Sequence, residues 1–241
     1  MSQSITILTG AGISAESGIR TFRDTGGLWE EYNVTEVATP EAFARDPALV
    51  HGFYNARRAA LPTVVPNPAH EALGHLQREL PARGGKLTLV TQNVDDLHER
   101  GGATDVIHMH GVLTRMLCGA CGERWLWTVD APLDISCPNC MAALPSADPL
   151  AVPRPDIVWF GEMPYQMGRI ERELLASDLF VSIGTSGEVY PAAGYVQLAK
   201  AHGLRTMEIN LEPSANAAVF DEQRIGKAGT LVPEWVEEVL A

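Results

Sequence analysis

The segment Ile5-Thr6-Ile7-Leu8-Thr9-Gly10-Ala11-Gly12-Ile13-Ser14-Ala15-Glu16-Ser17-Gly18 runs from a short apolar stretch through a glycine turn into a helix-like stretch. An apolar run without polar alternation is what a strand buried on both faces of a parallel sheet requires. Gly10-Ala11-Gly12-Ile13-Ser14-Ala15 then fits G-x-G-x-x-G/A, in which glycines let the backbone approach a pyrophosphate and helix N-terminal amides face it. Turns of this kind also serve close packing alone, and the acidic residue expected about twenty positions later at the end of a second strand is missing. In its place stands Ile19-Arg20-Thr21-Phe22-Arg23-Asp24-Thr25-Gly26-Gly27-Leu28-Trp29, a polar, glycine-bearing loop suited to folding over a bound dinucleotide.

Working outward, runs of the same kind recur at Leu87 to Thr91, Leu179 to Ile183 and Thr206 to Asn210. Helical stretches are predicted at Ala69 to Leu80, Glu171 to Ala176, Ala192 to His202 and Glu234 to Leu240. The alternation predicts an α/β fold, a Rossmann-like doubly wound parallel sheet. Two stretches interrupt it. The first, 26–68, carries two helix-like pieces, Pro40 to Arg45 and Pro47 to Ala60; the second, 114–153, holds every cysteine. The expected organisation is a large domain of residues 1–25, 69–113 and 154–241, with 26–68 and 114–153 forming a small one and a ligand cleft between them.

The cysteines form two pairs, Cys118-x-x-Cys121 and Cys137-x-x-Cys140. That spacing is the zinc-ribbon template, four thiolates closing a tetrahedral shell around one structural Zn2+. A closed shell has no place for substrate, so the chemistry is sought elsewhere. At 241 residues, 46% of them hydrophobic, the chain can bury a substantial core. A net charge of −12 argues against a nucleic-acid partner, which needs a basic face. No apolar run is long enough to span a bilayer and Met1 to Ser4 lack the basic start of a signal peptide, so a cytoplasmic protein without a membrane partner is expected.

Two further segments end predicted strands with chemistry-bearing residues. Thr91-Gln92-Asn93-Val94-Asp95-Asp96-Leu97-His98 places amides and a carboxylate where ligands bind in this architecture, suited to a ribose and a carboxamide or to a helix cap. In Val106-Ile107-His108-Met109-His110, alternation sets both histidines on one strand face, and Gly111 ends the strand at an open edge. An exposed imidazole in a nucleotide cleft is a natural general base, although a lone histidine is more often structural. His70, His75 and His98 read as helix-surface residues.

Taken together, Gly10 to Ser14, Ser17 to Ile19 with Phe22-Arg23, Thr91 to Asp95, His110-Gly111, the paired cysteines, Val158-Trp159-Phe160-Gly161-Glu162, Gly184-Thr185-Ser186 and Val189-Tyr190-Pro191 occur in the order found in the sirtuins. The chain resembles that family of NAD-dependent protein lysine deacylases over nearly its full length. The resemblance implies a site in which NAD, as cosubstrate, lies on Gly10, Ala11, Gly12 and Ala15, with Thr21, Phe22, Arg23 and Trp29 of the loop near it. Gln92, Asn93, Val94 and Asp95 would hold the nicotinamide end. Gly184, Thr185, Ser186, Asn210, Leu211, Glu212 and Ala228 resemble the adenosine-side contacts. It further implies that the acyl-lysine oxygen attacks the anomeric carbon and displaces nicotinamide, with His110 as base on a ribose hydroxyl and Asn93 beside it. The products would be free lysine and O-acyl-ADP-ribose. The substrate, an acyl-lysine protein or peptide, would run along Val158, Phe160, Gly161, Glu162 and Val189.

Tyr54 and Arg57 are three apart and share a helix face. Tyr-x-x-Arg, with Ala15, resembles the bacterial-type subgroup that removes succinyl, malonyl or glutaryl groups, and acetyl groups as well. A guanidinium and a phenol can together hold a carboxylate; a surface arginine beside a core tyrosine is the plain alternative. Two other functions use the same cleft. A mono-ADP-ribosyltransferase would release nicotinamide without an acyl-peptide, and a non-catalytic NAD or acyl-lysine binding module would lack the base.

Overall fold

The fold is given by a computed structural model that describes residues 3–19 and 33–241. Six strands form one all-parallel sheet: β1 (Ser4–Thr9), β2 (Lys86–Thr91), β3 (Val106–His108), β7 (Leu179–Ile183), β8 (Arg205–Asn210) and β9 (Glu222–Ile225), in the order β3-β2-β1-β7-β8-β9. The chain leaves β1 towards β2 and β3 on one side and returns to β7, β8 and β9 on the other. The switch point therefore falls between β1 and β7, and a crevice opens outside their carboxyl ends. Both faces are covered. The helices Pro68–Glu79 and Ala228–Leu240 pack on one through Leu73, Leu76, Val232 and Trp235, and Met167–Leu175 and Tyr195–Ala201 on the other through Ile170, Leu174 and Val196.

At the switch point two glycine backbones lie against each other. Gly12 N donates to Gly184 O at 2.9 Å and Gly10 N to Ile183 O at 3.0 Å. A Cβ on Gly12 would stand 2.8 Å from Gly184 Cα, and one on Gly184, whose φ is +64°, would stand 2.4 Å from Ile13 N. No side chain fits at either position, so the turn after β1 and the turn after β7 form one continuous backbone shelf.

The interruptions fold as the caps dictate. Thr39 Oγ1 accepts from Ala42 N and Asp46 Oδ1 from Leu49 N, each followed by proline at the first helical position, which gives helices Pro40–Arg45 and Pro47–Ala60. Their apolar faces bury Phe43, Val50, Phe53 and Tyr54 against Leu113, Ile157 and Trp159. The cysteine region builds a second, antiparallel sheet in the order β5-β4-β6, from β4 (Gly111–Cys118), β5 (Arg124–Leu126) and β6 (Pro153–Ile157).

Four expectations change. β3 stops at His108, and Gly111, instead of ending that strand at an open edge, begins β4 with φ +86°; a Cβ there would lie 2.0 Å from Asp156 O. His70 and His98 are fully buried rather than on helix surfaces, whereas His75 is exposed. The last helix starts at Ala228 and runs through Pro233, six residues earlier than its apolar pattern suggests. The helix expected at Glu171 to Ala176 spans Met167–Leu175.

The four cysteine sulfurs lie within 4.8 Å of one another. Cys118 Sγ and Cys140 Sγ are 3.6 Å apart and Cys121 Sγ and Cys137 Sγ 3.7 Å. A tetrahedral shell with Zn–S bonds of 2.3 Å sets sulfurs about 3.8 Å apart, so the cluster is positioned to bind one structural zinc ion. Its own apolar core is only Met116, Ala131 and Ile135 with Trp125 and Trp127 beside them, too little to hold the hairpin without metal. Chelation is expected to release one zinc per chain and to lower Tm by roughly 5–10 °C, measured by a colorimetric zinc assay and thermal denaturation. Metal-free protein with unchanged Tm would contradict a structural ion.

Candidate active site

A cleft of about 810 Å3 opens at the switch point, between the carboxyl ends of the parallel strands and the Pro47–Ala60 helix with the segment after β6. Gly10, Ala11, Gly12 and Ala15 line it from the first turn, Gln92, Asn93 and Val94 from the loop after β2, and His110 from the junction of the two sheets. Gly184, Thr185 and Ser186 enter after β7, Asn210, Leu211 and Glu212 after β8, and Ala228 at the start of the last helix. Tyr54, Arg57, Val158, Phe160, Gly161, Glu162 and Val189 complete the opposite wall. Thr21, Phe22, Arg23 and Trp29 lie outside the described residues. Asp95 is described and is not in the lining: it is buried behind it.

Beneath the loop after β2 is a closed polar network. Asn93 Nδ2 donates to Gly10 O (3.1 Å) and to Ser14 Oγ (3.0 Å), and Ser14 Oγ donates to Asp95 Oδ2 (3.1 Å). His70 Nε2 lies 3.3 Å from Ser14 Oγ, and its Nδ1 accepts from Asn67 N (3.3 Å). With Nδ1 accepting, Nε2 carries the proton and donates to the serine. Burial holds the His70 imidazole down at about 4, so it is neutral there at pH 7. Burial also raises the Asp95 carboxyl, against the hydrogen bonds from Leu97 N and Ser14. His98 Nε2 meets Thr9 Oγ1 at 2.9 Å, and that hydroxyl donates to Thr91 Oγ1. Two of the three histidines that read as surface residues are thus structural, His98 bracing the ends of β1 and β2 and His70 the turn after β1.

His110 Nδ1 lies 3.1 Å from Gln92 O. A carbonyl can only accept, so Nδ1 holds the proton and Nε2 presents a lone pair. Burial lowers its basicity, partly offset by that same hydrogen bond. Its main chain is pinned too: Val158 N donates to His110 O at 2.9 Å.

On the other wall, Trp159 Nε1 donates to Tyr54 Oη at 2.9 Å. Burial pushes the Tyr54 phenol well above its ordinary range, so it stays protonated, and with an acceptor position taken by Trp159 its own O–H is left to donate. Arg57 packs its guanidinium 3.2 Å over the Phe53 ring and donates from Nη1 to Phe53 O at 2.7 Å. The Glu162 carboxylate is held structurally, bidentate to Arg154 (2.6 and 3.2 Å) and accepting from Trp159 N (2.8 Å). At the far end Asn210 Nδ2 donates to Thr185 O at 2.7 Å, joining the two strand ends there.

The sequence reading missed Glu16 and Lys227 in the lining and the supporting Ser14 and His70, and it held Trp159 and Tyr190 only as members of the segments Val158 to Glu162 and Gly187 to Tyr190 expected to flank the substrate. Ser14 and Trp159 stand inside motifs already quoted, so their neighbours gave the signal. Glu16 takes its place because its carboxylate accepts from Gly229 N at 2.9 Å, a contact across 213 positions that no local pattern encodes.

The chain is similar to known proteins over nearly its whole length. A model of the Sir2 family matches residues 10–191. The NAD-dependent protein deacylase of Caulobacter vibrioides is 57% identical over 235 residues, covering 98% of this chain and 96% of that protein. The protein of the same name from Escherichia coli K12 is 52% identical over 238 residues, covering 98% and 82%. Among solved structures, a Sir2 homologue in complex with NAD superposes with a TM-score of 0.86 at 38% identity, over all of this chain and 91% of the other. An ADP-ribose complex of a Sir2 homologue gives 0.88 at 38% identity, over 99% and 92%. With the turn, the cleft, the histidine and the cysteine quartet all in place, the chain belongs to the Sir2 family.

Proposed function

We propose that this protein is an NAD-dependent lysine deacylase that removes succinyl, malonyl or related acidic acyl groups, and acetyl groups as well, from protein substrates. NAD-dependent protein deacylation follows from membership of the family and from relatives above half identity that carry that name. The acidic-acyl preference rests on one observation, the Tyr54–Arg57 pair in the cleft wall. A buried neutral phenol with its proton available and a guanidinium one helical turn away present a donor and a fixed cation to a terminal carboxylate. An acetyl group has no terminal carboxylate and needs neither.

The chain's own groups divide the remaining work. NAD bound across the shelf supplies the electrophilic sugar carbon. The Gly10–Gly12 turn, whose Gly10 and Gly12 amides are bonded to Ile183 O and Gly184 O, would offer its side-chain-free surface and the Ala11 amide to the phosphates, and Thr185, Ser186, Asn210, Leu211, Glu212 and Ala228 would hold the adenosine end. Gln92, Asn93 and Val94 border the nicotinamide end, with Asn93 fixed because both its amide hydrogens are spent on Gly10 and Ser14. His110, its tautomer set by Gln92 O, takes a proton from the ribose at Nε2. The peptide lies between Val158 to Gly161 and Val189, where backbone pairing of an extended segment holds it.

His110→Ala is expected to cut turnover of every acyl group by roughly 100- to 10,000-fold with an unchanged circular dichroism spectrum; retained activity would overturn its role. Because the base must be unprotonated and its basicity is lowered, kcat/KM should hold as pH falls and drop only through a midpoint below roughly 6.5. An acid limb centred above pH 7 contradicts this. Arg57→Met is expected to lower kcat/KM for succinyl-lysine peptide by roughly 10- to 100-fold while acetyl-lysine turnover stays within about twofold. Equal loss of both in a mass-spectrometric assay would sink the acidic-acyl reading.

A further inference from the structure

The Pro47–Ala60 helix presents Tyr54 and Arg57 to the cleft, and the residue after each is used differently. Asn55 and Arg58 lie about 100° further round the helix and bind the cysteine-bearing sheet. Asn55 Nδ2 donates to Ala131 O at 3.0 Å and its Oδ1 accepts from Ala131 N at 2.9 Å, so one side chain satisfies both backbone groups of a residue between the two cysteine pairs. Arg58, 1% exposed, donates from Nε to Leu113 O (2.8 Å) and from Nη1 to Asn55 Oδ1 (2.7 Å) and Val129 O (3.4 Å).

Leu113 carries the contact onward. The register of β4 against β6 shifts between Gly111 and Met116, and the Leu113 backbone serves partners outside that ladder: its C=O takes Arg58, and its N–H donates to Val94 O at 2.8 Å. A short chain of hydrogen bonds therefore runs from the helix bearing Tyr54 and Arg57, through one residue of β4, to the loop bearing Gln92 and Asn93. Trp159 braces the same tyrosine from the other side. Burying a guanidinium against carbonyls, with no carboxylate bonded to it among the described residues, is a poor route to stability. It is a good route to fixed geometry, because the planar fork sets direction as well as distance.

We propose that Arg58 and Asn55 are positioning residues that fix the distance between the acyl-carboxylate site and the reacting centre, and so set the length of acidic acyl chain the enzyme accepts. Malonyl, succinyl and glutaryl groups carry the same terminal charge and differ by one methylene each. A rigidly held Arg57 meets the carboxylate of one of them best, and a loosened helix adapts to all three. This inference rests on the acidic-acyl reading above.

The test compares kcat/KM for one peptide bearing malonyl-, succinyl-, glutaryl- or acetyl-lysine in the wild type, Asn55→Ala and Arg58→Lys. Arg58→Lys keeps the charge and loses the fork, and thermal denaturation checks that each variant is folded. The wild type is expected to favour one chain length over the poorest by at least about tenfold. Both variants should compress that ratio to about threefold or less, with acetyl turnover within about twofold and KM for NAD unchanged. Parallel loss on all four substrates, or an unaltered length ratio, overturns the positioning role and leaves the acidic-acyl reading standing. A wild type that is indifferent to chain length overturns it too. A wild type that turns over acetyl-lysine alone overturns both.

Discussion

The whole site depends on two backbones that touch without side chains. Gly12 and Gly184 come from turns more than 170 positions apart, and their atoms approach so closely that a Cβ on either would strike the other's main chain. That approach joins the end of β1 to the end of β7 and makes a shelf of bare backbone at the point where the sheet changes direction. The close-packing and the ligand-binding interpretations of a glycine turn are therefore not rivals here. The glycines pack against each other on one side, and by doing so leave the crevice side bare of side chains for an anionic ligand.

The polar groups under the shelf follow from the same constraint. A crevice at strand ends leaves backbone carbonyls and loop amides without sheet partners, and buried groups of that kind need hydrogen bonds. Asn93, Ser14, Asp95 and His70 supply them in a closed circuit, with each donor facing an acceptor. The loop after β2 is thereby rigid before any ligand arrives, which is what a site that must orient a sugar and a carboxamide requires.

Much of this was legible in the sequence because it is local. The strands at Ile5, Leu87 and Leu179 are short, mainly apolar runs, and the helices at Pro40 and Pro47 are announced by a capping side chain followed by proline. What was not legible is non-local or masked by composition. β6 is Pro-Arg-Pro-Asp-Ile, and two prolines and two charges hide a strand that is nevertheless fully buried. His70 and His98 look like polar positions on helices, and only the network around Thr9 and Ser14 shows why they are inside. Pro233 reads as a barrier, yet the helix continues through it because Val232 and Trp235 on either side are buried in the core.

Among the described residues the cysteine quartet forms no part of the cleft lining, yet it sits at the end of a strand that leads to it. β4 and β6 run side by side from the pair Cys118–Pro153, next to the cysteine cluster, to Gly111 and Ile157 at the other end. The next pair along is His110 with Val158, joined by a backbone hydrogen bond. One of those residues is the candidate base and the other begins the segment expected to hold the peptide, so both sit just beyond the ends of two paired strands, at the end away from the cysteine cluster. A three-stranded sheet with so small a core needs its far end anchored to hold that alignment. The cysteine cluster therefore bears on the site through β4: Cys118 ends the strand that begins next to His110, and since none of the four cysteines lies in β6, a bound ion would anchor β4 and its hairpin rather than tie β4 to β6.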